Sequence, residues 1–269
     1  MERRPDRTAR AVTACVALAA LTAACDGGES YSRREIRGPD TGGGAAGPAS
    51  GAKQVDPATA GTIRGTVRWE GPKPTMERID VSGNPDCAKV VKETIYYETI
   101  VVNANDTVRN CFVSIDTADA YSPPAEPVLI DQVACRYVPH VIGVQVGQKL
   151  RIQSSDPTLH NVHMIPTGDV NEEKNMSFLT PGVKSETFVA ADWIKFKCEV
   201  HPWMAAWCAV RSHPFFAVTG DDGAYAIQNV PPGAHRLVLK HERLGEQAVT
   251  VTVETGKTAT QDFKLAPKQ

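Results

Sequence analysis

Phe196–Met204 reads FKCEVHPWM, and in it Cys198, His201 and Met204 follow one another at three-residue steps. A second segment, Ser155–Met164, reads SDPTLHNVHM and adds His160. A soft thiolate, two imidazoles and a weak thioether form the donor set of a blue-copper electron-transfer centre. Zinc sites rarely use methionine, and structural zinc draws on more thiolates. Iron–sulfur clusters need several spaced cysteines. The competing reading makes His160 and His201 ordinary turn residues and Cys198 half of a disulfide.

The elements that must hold these donors are strands. Short runs that alternate β-branched and polar residues recur from residue 61 onward: TIRGTVRWEG, ETIVVNA, NCFVSID, HVIGVQVG, KLRIQSS, SETFVAA, WIKFKCEV, AWCAVRS, HRLVLKHE and QAVTVTVETG. Gly71-Pro72, Asp222-Gly223 and Pro231-Pro232-Gly233 punctuate them, and the chain holds 21 Gly and 19 Pro. So many short strands between turn signals predict an all-β chain of two sandwiches or barrels. Helix is expected only as a turn or two over Cys87–Glu93. Three of the four donors fall at a strand end and in one short loop, and the fourth comes from a separate strand end. Such scaffolding holds a metal site nearly unchanged between oxidation states.

The N-terminus reads as an export signal. Arg3, Arg4, Arg7 and Arg10 precede an apolar run, Ala11–Ala24, too short to stay as a membrane span. It ends LTAAC, which resembles a bacterial lipobox and implies cleavage before a lipidated Cys25; an ordinary secretory cut near Ala24 is the alternative. Residues 1–24 are therefore a signal peptide, and 25–60, rich in Gly, Ala, Pro and Ser, a flexible linker roughly 30 Å in reach. Loss of the signal removes four arginines and two acids, which moves the net charge from −2 to −4. Mild acidity with no basic patch excludes nucleic acid as a partner. Export permits disulfides.

LHNVHM and CEVHPWM resemble the ligand segments of the amicyanin- and plastocyanin-like blue-copper cupredoxins, and the likeness extends over Asp131–His213. The resemblance implies a Greek-key sandwich over residues 121–215 and one type 1 copper on His160, Cys198, His201 and Met204. It also implies that Asn161 hydrogen-bonds across to the cysteine segment. Pro202 stiffens the ligand loop, and His201 is expected to serve as the electron port. TGDDGAYAIQNVPPGAHRLVLKHERLG resembles the second half of a carboxypeptidase regulatory-like, prealbumin-like sandwich, here residues 216–269. Its expected first strand lies at Ile63–Val67, within an N-terminal β segment 61–120, so this smaller sandwich is expected to be split by the cupredoxin.

Cys15 leaves with the signal, Cys25 would be lipidated and Cys198 would hold copper. Cys87, Cys111, Cys135 and Cys208 remain, an even set with three possible pairings; Cys87–Cys135 with Cys111–Cys208, linking the modules, is the expected one. His163 faces away from His160 in an extended segment, and His140, His213, His235 and His241 read as structural, as do Trp203 and Trp207. The whole reads as a membrane-tethered, extracytoplasmic carrier of single electrons between redox proteins, not an enzyme. A multicopper oxidase or nitrite reductase fragment would need further His-x-His pairs, and a binuclear centre would need cysteine where Pro202 stands. A non-redox adhesion sandwich or a copper-handling protein is the remaining rival.

Overall fold

The computed structural model describes residues 52–267. The signal peptide, Cys25 and the linker up to residue 51 lie outside these residues. Among the described residues the structure is nearly all β. It begins with β1 (Gly61–Trp69), a short helix α1 (Pro85–Val90) and β2 (Phe112–Asp116). Nine strands follow: β3 (Val128–Val133), β4 (Arg136–Val138), β5 (Val141–Gln145), β6 (Lys149–Ser154), β7 (His160–Ile165), β8 (Lys174–Phe178), β9 (Gly182–Thr187), β10 (Asp192–Lys197) and β11 (Ala205–Arg211). The chain closes with β12 (Phe216–Val218), β13 (Ala224–Val230), β14 (Gly233–His241), β15 (Gly245–Val253), β16 (Thr258–Thr260) and β17 (Phe263–Leu265).

The nine middle strands form two sheets, ordered β5-β11-β10-β7-β8 and β4-β3-β6-β9. Alternation along each strand sends one set of side chains inward. Ile130, Leu150 and Ile152 of one sheet thus meet Val162, Met164, Ile194 and Phe196 of the other in a common core. The first and last strands form the other two sheets, β13-β1-β16 with β17 also on β1, and β12-β2-β14-β15. Their core holds Ile63, Val67, Val113, Ile115, Tyr225, Ile227, Leu237 and Val251. Residues 61–69 therefore share a sheet with strands from 224–265, although the first sandwich lies between them in sequence.

A third apolar cluster joins the two sandwiches. Phe112 packs on Trp193 at 6.0 Å between centroids and on Phe216 at 5.4 Å. Gly143 is required here, because a Cβ at that position would lie 2.4 Å from the Phe216 ring.

Residues 70–111 depart from the strand expectation. ETIVVNA forms no strand; the segment is tied by isolated bridges, Arg78 to Tyr96 and Val102 to Val108. The helix starts earlier than Cys87, because Asn84 caps it by accepting from the Cys87 amide at 3.0 Å and Pro85 fits the first turn. The Ile79 amide donates to Ile95 and that of Tyr97 to Glu77, so the stretch between them is a loop closed at its neck, with α1 inside it.

A disulfide joins Cys87 of this loop to Cys135, with Cα atoms 5.9 Å apart. The expected Cys111–Cys208 bond is absent: both thiols are free. The reason is topological. Cys111 points into the core of the second sandwich and Cys208 into that of the first, so each is packed in its own interior.

Candidate metal centre

β7 and β10 are antiparallel neighbours, with Phe196 opposite Met164 and Lys197 opposite His163. His160 opens β7 and Cys198 follows β10, so the pairing brings both to one end of the sheet. The loop after Cys198 then turns back on itself. The Met204 amide donates to the His201 carbonyl at 2.9 Å, and the Cys198 amide donates to the Met204 carbonyl at 3.2 Å. His160 Nδ1 lies 3.0 Å from His201 Nδ1, and Cys198 Sγ lies 3.7 Å from the same His201 nitrogen. His160, Cys198, His201 and Met204 are all buried, and Pro202 is exposed on the loop.

The polar shell decides which atoms face inward. Asp156 accepts from the Ala134 and Cys135 amides, each at 2.8 Å, so its carboxylate is held in one orientation. His160 Nε2 stands 2.9 Å from Asp156 Oδ2 and donates to it. In the neutral ring that hydrogen bond keeps the proton on Nε2 and frees the Nδ1 lone pair toward His201. Asn161 Oδ1 accepts from the Glu199 amide at 2.8 Å and from the Cys198 thiol at 3.3 Å, while its Nδ2 donates to Asn175 at 2.7 Å. One asparagine thus ties the His160 strand to the cysteine loop.

Electrostatics separate the donors. Burial works against the Cys198 thiolate, but hydrogen bonds from His160 and from the Asn161, His201 and Val200 amides outweigh it and hold the thiol below its usual range. Burial also opposes charge on His160, yet Asp156 and the Cys198 sulfur leave it above its ordinary value. His201 goes the other way: burial, then the charge of His160, push it down to about 4. A neutral imidazole and a favoured thiolate are the forms that bind a soft cation. Two ring nitrogens in contact can share only one proton, so a cation between them and the sulfur answers all three donors.

His201 differs from the expectation of an electron port. It has no exposed surface. The loop bearing α1 covers it, with Cys87 Sγ, Cys135 Sγ and a His201 ring nitrogen mutually within 4.8 Å. Trp203 packs on the His201 ring at 5.1 Å and donates its indole N–H to the Cys135 carbonyl at 3.0 Å. His201 Nε2 is left buried without a hydrogen-bond partner. A segment remote in sequence closes this edge, so the local spacing in CEVHPWM does not disclose it.

Asp156 is a residue of this cluster that the motifs alone do not single out, although an acid four residues before a candidate ligand is a usable signal for an orienting carboxylate. His163 points out of the site, between Glu199 and Glu173. His213 accepts from the Phe215 amide at 3.1 Å and His241 from those of Arg243 and Leu244. Trp207 stacks on Trp193 at 5.5 Å, outside the donor cluster.

No family model and no curated protein sequence matches the chain. Solved structures do. A Cu-containing nitrite reductase (NirK) from Thermus scotoductus SA-01 is 18% identical over 36% of this chain and 25% of its own, with a TM-score of 0.30. The chain thus spans about a quarter of that enzyme's length. A purple cupredoxin from Nitrosopumilus maritimus is 22% identical over 31% of this chain and 99% of its own, at 0.28. A proline-to-alanine mutant of amicyanin in the oxidised state is 21% identical over 37% and 98%, at 0.29.

Proposed function

We propose that the protein holds one copper ion on His160 Nδ1, His201 Nδ1 and Cys198 Sγ, with Met204 as a weak fourth donor, and passes single electrons between redox proteins. The observation that carries this is the convergence of two imidazole nitrogens and a cysteine sulfur at one buried strand end. Bound copper supplies a one-electron couple. The chain's own residues supply the rest: Asp156 orients His160, Asn161 pins the cysteine loop, and the β7–β10 pairing keeps the donors rigid.

An electron-carrier role suits the surroundings better than catalysis. The cavity that Met204 and Trp203 line is about 30 Å³, room for roughly one water. Because His201 is sealed, the loop meets solvent through exposed Glu199, Val200 and Pro202 and half-buried Trp203. On this reading the chain is exported and tethered through a lipid on Cys25, and its partners dock at that end.

Titration of Cu(II) into the metal-free protein tests the proposal. An intense visible thiolate-to-copper band, absent in Cys198→Ser, is the expected result. A colourless protein that binds copper no more tightly than the variant overturns it.

A further inference from the structure

The turn between β14 and β15 of the second sandwich reaches into the first. Its Glu242 side chain is 9% exposed, and that of its partner His140 is 5% exposed. One carboxylate oxygen lies 2.5 Å from His140 Nε2, and the other accepts from the Trp207 indole N–H at 2.8 Å. On the opposite edge of the ring, His140 Nδ1 lies 3.0 Å from the Ala205 carbonyl oxygen. A carbonyl only accepts, so Nδ1 carries a hydrogen. The proton between Nε2 and the carboxylate belongs to the His140–Glu242 pair, whichever atom holds it.

Ala205 follows Met204 directly. Met204 in turn is bonded through its amide to His201 and through its carbonyl to the Cys198 amide. A path therefore runs from a carboxylate of one sandwich, by hydrogen bonds through a buried imidazole to the Ala205 carbonyl, and along the backbone of Ala205 to the donor loop of the other. The Trp207 amide donates to the His140 carbonyl at 2.8 Å and steadies the ring from β11.

We propose that Glu242 is a positioning residue for the metal centre: through His140 it fixes the Ala205 carbonyl and so sets the placement of Met204 and Cys198. The second sandwich is then part of the site's support, not a passive neighbour. The spectroscopic consequence rests on the copper reading; the effect on the loop does not.

The full chain is compared with Glu242→Ala, Glu242→Gln and His140→Phe. Glutamine keeps both contacts without the charge. Its oxygen accepts from Trp207 and its N–H donates to a neutral His140 Nε2, while Nδ1–H stays on Ala205. In metal-free protein, Glu242→Ala and His140→Phe are expected to speed hydrogen exchange at the Cys198 and Met204 amides by about tenfold or more. Reaction of Cys198 with a maleimide rises in parallel, and Glu242→Gln stays near wild type. Cys111 and Cys208 remain unlabelled as internal reporters of intact cores. With Cu(II), the thiolate-to-copper band shifts in Glu242→Ala and is restored in Glu242→Gln.

Wild-type exchange and labelling in both Glu242→Ala and His140→Phe overturn the proposal, even if the melting temperature falls, because Glu242 would then only join the sandwiches. Should Glu242→Ala fail to fold, His140→Phe decides alone. A wild-type protein with no thiolate-to-copper band rejects the copper reading, and the exchange rates then decide the role of Glu242 by themselves.

Discussion

Cys198 and Cys111 are both buried thiols in β-sandwiches, and their surroundings push them in opposite directions. Cys111 sits among Val113, Phe215 and Leu239, where burial drives its pKa up to about 12 and a Thr219 hydroxyl only partly offsets it. Complete burial pushes Cys208 up as well. Cys198 is nearly as enclosed, yet an imidazole and three backbone amides hold it below the usual thiol range. Burial by itself therefore makes an inert thiol. Oriented donors at a strand end instead favour the thiolate, the form that a metal would need.

The largest effect that sharpens this contrast is removal of either sulfur. Cys198→Ser is expected to lower copper affinity by orders of magnitude in a competition titration, whereas Cys111→Ser leaves it unchanged; equal losses would erase the distinction. Next comes the core that lacks the site. Leu237→Ala in the second sandwich should cost about 2–5 kcal/mol in a urea titration, with copper affinity retained in the folded protein.

Asp156→Ala tests whether orientation of His160 matters. Copper affinity is expected to fall roughly 10–100-fold, because the ring loses the acceptor that fixes its tautomer. An unchanged affinity would confine Asp156 to bracing the Ala134–Cys135 turn.

The smallest effect is on pH dependence. Burial, followed by the Arg211 charge, pushes His213 down to about 4, so it folds neutral and takes up a proton more readily when unfolded. A depressed folded pKa gives stability that is present above the unfolded value of about 6.5 and lost as pH falls toward 4. The expected loss is on the order of 1–3 kcal/mol. Urea midpoints at pH 7 and pH 5 should differ less in His213→Gln than in the wild type.

Legibility follows locality. His160, Cys198, His201 and Met204 stand in two short segments whose strand contexts are visible in the pattern, so candidate donors can be named from sequence, and the structure brings the two imidazoles and the cysteine sulfur together. The all-β architecture is equally readable, since period-two alternation is local. The pairing expected for Cys111 fails because counting cysteines cannot tell which core each one faces. The strand expected at ETIVVNA fails because β-branched content records fitness for a strand but not the presence of a pairing neighbour. The surface role expected for His201 fails because nothing in CEVHPWM reveals that residues near α1 will lie over it.

The amino-acid sequence alone determined the chemistry available to this protein: which atoms can bind a soft cation and which strands can present them. Residue type and near spacing set those properties. Tertiary structure decided everything that depends on a remote partner: the carboxylate of Asp156 behind His160, the disulfide-held loop over His201, the inertness of Cys111 and Cys208, and the reach of Glu242 into the neighbouring sandwich. Hydrogen bonds and burial are relations between groups brought together by folding, so no single segment contains them.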